Sequence, residues 1–221
     1  MSIERSFLNA IKQGQAEQVR TFLRQVPSLR QLRTKEGVSA LMLAVYYRNK
    51  EVLGAILSQP YPLDIFEASA LGNTERVWEL ISTDKSSVNT VAGDGFSPLG
   101  LAAYFGQLEI VEMLVACGAE INQASNNGFA VYPIHSAVSA RWSEIVVFLL
   151  KHGADPNVAQ QQGIRPLHQA AHAGDQEMVT LLLSHGASKT IQTEEGHTAS
   201  DMAKVEGYPA LAEYIENYMA S

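Results

Sequence analysis

Apolar positions recur along this chain in a fixed frame. Ala10, Ala44, Ala68, Ala102, Ala137, Ala170 and Ala203 follow one another at spacings of 34, 24, 34, 35, 33 and 33 residues. Three residues before them stand Phe7, Leu41, Ile65, Leu99, Ile134, Leu167 and Ser200, and four residues after them stand Gly14, Arg48, Gly72, Gly106, Arg141, Gly174 and Gly207. Eight further on come Phe22, Ile56, Leu80, Leu114, Leu149, Leu182 and Ile215. A period of this length predicts a stack of similar units, each packed mainly on its neighbours.

The segment Ser97–Gly106 shows how one unit folds. Pro98 suits the first turn of a helix and Gly106 supplies a stop, so a two-turn helix is bracketed between them. Leu99, Ala102 and Ala103 then share one face, and the small alanines allow neighbouring helices to approach closely. A second helix follows around Ile110, Val111 and Leu114, ending at Gly118. Second helices open with Glu17, Glu51, Glu75, Glu109, Glu144 and Glu177, where a carboxylate meets the positive end of the helix dipole. Asp94-Gly95 and Asn127-Gly128 predict tight turns between units.

Arg165-Pro166-Leu167-His168-Gln169-Ala170-Ala171-His172-Ala173-Gly174, followed by Leu181-Leu182-Leu183-Ser184-His185-Gly186-Ala187, resembles the ankyrin repeat. Units with Pro98-Leu99, Pro133-Ile134-His135 and Pro166-Leu167-His168 carry the motif well, and the other four are degenerate. The resemblance implies an all-α solenoid of helix-turn-helix units with short β-hairpin or turn fingers and a concave groove lined by first helices. It places seven repeats in one domain over residues 1–221, approximately at 3–31, 32–59, 60–90, 91–123, 124–158, 159–191 and 192–218, with the first and last as caps.

Two departures break the array. The 24-residue interval removes the finger of the third unit between Leu57 and Ile65, which predicts a gap in the finger row. In the fifth unit the stretch from Gly128 to Pro133 is two residues longer than its counterpart from Gly95 to Pro98, which predicts a protruding finger carrying Phe129 and Tyr132.

Composition narrows the function. Hydrophobic residues make up 46% and charged residues 18%, which excludes a disordered chain. No leader-like apolar run follows Met1 and no stretch is long enough to span a membrane, so a cytoplasmic protein without membrane attachment is expected, and the single Cys117 fits a reducing compartment. The net charge is −7, yet the first fifty residues hold nine Lys or Arg against three Glu. That asymmetry can steer a charged partner toward one end.

Motifs for catalysis are missing: the sequence holds no phosphate loop, paired-cysteine zinc pattern or nucleophile elbow. His168 and His172 have an i, i+4 spacing that can bind a metal, but a pair without further ligands is weak, and the resemblance implies that His168 and His135 bond turn backbone. No catalytic residue, metal or cofactor is therefore expected.

The resemblance assigns the two residues before the glycine position to the groove, and further positions to the exposed tip of a finger or its base. Tyr46, Tyr47, Tyr104, Phe105, Ser139 and His172 occupy the first kind of position, and Phe96, Phe129, Tyr132 and Ile164 the second. Aromatic side chains bury much area for few rotors, which suits an interface. These ten residues form the expected contact set for a partner protein or peptide, with the chain monomeric in isolation. The alternative is ligand or nucleic-acid binding through the aromatic groove and the basic N-terminal end, which the overall negative charge opposes.

Overall fold

The computed structural model describes residues 2–219. Helices come in pairs: α1 (Ile3–Lys12) with α2 (Ala16–Gln25), α3 (Ala40–Tyr46) with α4 (Lys50–Ile56), and α5 (Ile65–Leu71) with α6 (Thr74–Thr83). The series continues with α7 (Pro98–Phe105) and α8 (Leu108–Ala116), α9 (Pro133–Ser139) and α10 (Ser143–Lys151), α11 (Pro166–His172) and α12 (Gln176–Ser184), and α13 (Ala199–Val205) and α14 (Pro209–Asn217). None of the described helices is long and apolar enough to cross a membrane.

First helices pack successively on one another from α1 through α13. The alanine column lies in these contacts, with no member more than 1% exposed, so its small side chains set the closeness of the stack. Ile110, Val111 and Leu114 on α8 and their counterparts Ile145, Val146 and Leu149 on α10 are buried beneath them. Fully burying one such side chain contributes roughly 1.5–3 kcal/mol.

The helix starts follow local chemistry. Ser2, Ser39, Ser97 and Thr198 accept hydrogen bonds from backbone N–H groups of the first turns of α1, α3, α7 and α13. Before α9 and α11 the capping positions hold Tyr132 and Arg165, which provide no side-chain cap. His135 and His168 reach back instead: their Nδ1 atoms accept from the N–H of Tyr132 and Arg165, while Nε2–H donates to the carbonyls of Ile164 and Ile191. Each buried imidazole thus joins two successive units in its neutral form. Burial lowers the His135 pKa to about 4 and moves that of His168 in the same direction. With both ring nitrogens engaged on backbone, His168 has no free lone pair to share a metal with His172.

The glycine column also works between units. An added Cβ would meet the Asn49 side chain at Gly14, Gln107 at Gly72, Trp142 at Gly106 and Tyr208 at Gly174. The residue after the stop position of one unit therefore covers the stop glycine of a unit before it. At Gly106 the clash would be with the Trp142 indole at 2.4 Å.

The fingers are turns closed by a few backbone bonds, and among the described residues one isolated bridge, between Arg33 and Ser39, stands in place of strand ladders. Thr34 N–H donates to Val38, Ala92 to Phe96, Ser125 to Val131, Gln160 to Ile164, and Thr193 to His197. Neighbouring fingers are stitched by Asn126 N–H to Gly95 O, Gln161 to Phe129, and Glu194 to Gln162.

The expected gap in the finger row is closed. Gly93 occupies the finger position that Asn126, Gln161 and Glu194 hold in later units, and it lies directly against Glu36 and Gly37 of the second unit. Without a third finger between them, the second and fourth fingers become neighbours, and two glycines supply the necessary closeness. Tyr46 crosses the same junction, its hydroxyl donating to Asp94 at 2.5 Å and its ring 5.8 Å from that of Phe105.

Polar groups fill the junction below. Asp64 and Glu67 form a reciprocal capping box at the start of α5. Glu67 is buried and accepts from Ser39 Oγ at 2.6 Å and from the Tyr61 hydroxyl at 2.8 Å, while Asp64 pairs with Arg33 at 2.8 Å. Burial is the main cause of the raised Glu67 pKa. The apolar core divides at this place: one cluster extends from Phe7 to Ala70 and Leu101, and the other from Ile65 to Ile215.

Candidate partner-binding cleft

Closure of the finger row creates a cleft between the end of α3 and the tips of the second, fourth and fifth fingers. Its volume is about 530 Å3, and Val38, Leu43, Tyr46, Tyr47, Phe96 and Phe129 supply apolar surface. Lys12, Glu36, Asp94, Asn126 and Asn127 add polar groups. Tyr47 is 51% exposed and Phe129 is 58% exposed, and both line this one cavity.

The turn chemistry explains how the rim is held. Asp94 accepts from the Phe96 N–H and the Tyr46 hydroxyl, and its carbonyl accepts from Asn127 Nδ2. Asn127 Oδ1 accepts from Ser125 Oγ and the Phe129 N–H. Burial, followed by the Asp94 hydrogen bond, raises the Tyr46 pKa, so this phenol stays protonated. Its hydroxyl is committed to positioning, leaving the ring as the available surface.

Ten residues were expected at the partner surface, and the fold distributes them unevenly. Tyr46, Tyr47, Phe96 and Phe129 converge on the cleft. Tyr104 and Phe105 stand edge to face at 5.1 Å beyond it, and the Tyr104 carbonyl accepts from the Trp142 indole. The two fifth-finger aromatics separate: Phe129 protrudes, whereas Tyr132 is half-buried against the core with its ring 5.6 Å from that of His135. Ile164 is half-buried and its carbonyl receives the His135 bond. Ser139 and His172 are exposed, the latter facing Glu206 at 3.2 Å.

Sequence reasoning did not place Val38, Leu43 or Asp94 in a common site. Asp94-Gly95 and Asn127-Gly128 signalled turns, but not that their side chains would join one rim. The exposed Trp142 also escaped notice, although its position immediately after the stop residue Arg141 marks it as the cover of the preceding Gly106.

A family model described as "Ankyrin repeats (3 copies)" matches residues 65–159 and 134–218. The chain belongs to the ankyrin-repeat family.

Among ankyrin-repeat relatives, 101 residues are 41% identical to Ankyrin repeat and SAM domain-containing protein 6 of Rattus norvegicus, covering 45% of this chain and 11% of that protein. Protein phosphatase 1 regulatory subunit 27 of Mus musculus is 35% identical over 92 residues, covering 42% and 58% respectively. Palmitoyltransferase ZDHHC13 of Mus musculus is 33% identical over 122 residues, covering 53% of this chain and 19% of the transferase. The matches with the SAM-domain protein and the phosphatase subunit thus span about a tenth and just under three-fifths of those relatives. Ankyrin repeats accordingly occur in proteins whose names describe quite different activities, and the shared fold does not fix one of them here.

Proposed function

We propose that this chain is a non-enzymatic interaction module that grips an extended peptide segment of a partner protein in the cleft between α3 and the fingers. The observation that carries this reading is the convergence of exposed Tyr47 and Phe129 on one cavity with Val38, Leu43, Tyr46 and Phe96, rimmed by polar groups. Large aromatic anchors in a concave, partly desolvated site are the usual source of binding energy at interfaces. Fixed polar groups at the rim, Asp94, Asn126 and Asn127, supply hydrogen bonds to orient a backbone. Similarity to a regulatory subunit of a phosphatase supports a role exercised through another protein.

The partner contact is centred on the second, fourth and fifth fingers. Tyr104, Ser139 and His172 extend the same binding face along the first helices, and the chain acts as a monomer in the cytoplasm. Selection of a random peptide library on the full chain tests this reading. Recovered sequences share an apolar anchor and compete with one another for the cleft; recovery of peptides that bind the Tyr47→Ala/Phe129→Ala variant equally well overturns it.

A further inference from the structure

A second concavity, sharing no residue with the cleft, lies between α2, the 3-10 turn Pro27–Gln31 and the end of α4. Its volume is about 400 Å3, and Arg20, Arg24 and Arg30 line it with Ser58 and Gln59 over an apolar floor. No carboxylate belongs to its lining. We propose that it is an oxyanion site for a phosphoryl group.

The three guanidinium groups come from two elements. Arg20 and Arg24 are four residues apart on α2 and therefore share a face. Arg30 comes from the turn, and its Nε–H donates to the Ile56 carbonyl at 2.8 Å, which fixes the side chain while leaving its terminal nitrogens for another acceptor. Arg24 reaches Thr21 Oγ1 at 3.3 Å. Of these three arginines, only Arg20 pairs with a carboxylate among the described residues, that of the exposed Glu17. Arg24 and Arg30 thus present charge without an internal counter-ion.

Three of the nine Lys or Arg of the first fifty residues line this cavity, in a chain whose net charge is −7. Capping of helix carbonyls explains the single Nε bond of Arg30 but does not explain three arginines around one cavity. Planar guanidinium forks match the oxygens of a phosphoryl group, and an apolar floor strengthens the attraction by excluding water from one side. Gln59 adds an amide at the same opening, while the Ser58 hydroxyl donates to the Ala55 carbonyl at 2.8 Å.

Nuclear magnetic resonance titration of the full chain with inorganic phosphate, at an ionic strength held constant with chloride, tests the site. Saturable shifts are expected at the amides of residues 20–30 and 55–59, weakened about tenfold or more, equivalent to about 1.4 kcal/mol, in Arg20→Gln/Arg24→Gln. Gln59→Glu, which places a carboxylate at the opening without removing an arginine, is expected to weaken phosphate equally. It remains decisive if the double variant loses its helical spectrum. A second titration with N-acetyl-phosphoserine amide separates the sources: tighter binding than inorganic phosphate identifies an esterified group, and equal binding a free anion. Linear shifts that chloride reproduces, or saturable shifts that persist in the double variant and in Gln59→Glu, overturn the proposal.

Discussion

Gly93 lies so close to Gly37 that a Cβ on Gly93 would stand 2.6 Å from the Gly37 Cα and 2.5 Å from the Glu36 carbonyl oxygen. This contact joins two units with a third between them in sequence. It makes the shortened unit a means of bringing the second and fourth fingers together, and it brings both fingers to one cleft.

Gly93→Ala is therefore expected to destabilise the chain by about 1–3 kcal/mol, the usual range for forcing extra atoms into a packed site. Gly93 has no positive φ, so the effect is steric. Gly54→Ala provides the control: no atom lies within 4 Å of the added Cβ on α4, and helix propensity favours a gain of roughly 0.5–1 kcal/mol. Urea unfolding of both variants checks the pair. Equal effects would contradict a close finger contact.

Arg48 stands in the glycine column with φ 51°, a left-handed conformation that costs a side chain about 1 kcal/mol. Its exposed side chain has no hydrogen bond or ion pair among the described contacts that would offset this cost. Arg48→Gly is expected to raise stability by about 1 kcal/mol. Thermal unfolding decides it, and a lowered midpoint would mean that the arginine contributes more than its backbone strain costs.

His135 and His168 make stability depend on pH. Their folded pKa values lie below the ordinary 6.5, that of His135 at about 4, so the folded chain binds fewer protons than the unfolded chain between those values. The stabilisation from His135 is complete above pH 6.5 and is lost as pH falls through about 4, on the order of 3 kcal/mol in all. Glu67, whose pKa burial raises, acts in the opposite direction, losing stability as pH rises above the ordinary carboxylate range. The decisive comparison is between wild type and His135→Gln/His168→Gln, by chemical unfolding from pH 7 to pH 4. The variant is expected to show the shallower loss, and an unchanged pH dependence would mean that these imidazoles are not held neutral.

Much of the fold was legible because its causes are local or periodic. The alanine column, the proline and glycine brackets around α7, and the acidic first turns of second helices are each set within a few residues. The backbone bonds of His135 and His168 were also expected, as an implication of the ankyrin resemblance rather than of spacing. The closed finger row was not. It depends on how the shortened unit aligns Gly93 with Gly37, and on a Tyr46–Asp94 bond 48 positions apart.

The cleft was half legible for a related reason. Aromatic residues at the ends of first helices and on fingers marked exposed candidates, but repeat position alone assigned Tyr132 and Phe129 to the same protruding rim. Packing against the core and His135 takes Tyr132 out of it, while the Ser125–Asn127 turn bonds hold Phe129 beside the opening. Leu43 and Val38 enter through tertiary placement, with no mark in sequence to distinguish them from other apolar positions.

Calorimetric titration of a library-selected peptide into wild type and into Tyr47→Ala/Phe129→Ala tests the central claim most directly. Both side chains are more than half exposed, so the variant is expected to retain the wild-type helical spectrum and unfolding midpoint. Loss of two aromatic anchors should weaken binding by about 2–4 kcal/mol, or some thirtyfold to a thousandfold. The same affinity for both proteins would contradict partner recognition in this cleft.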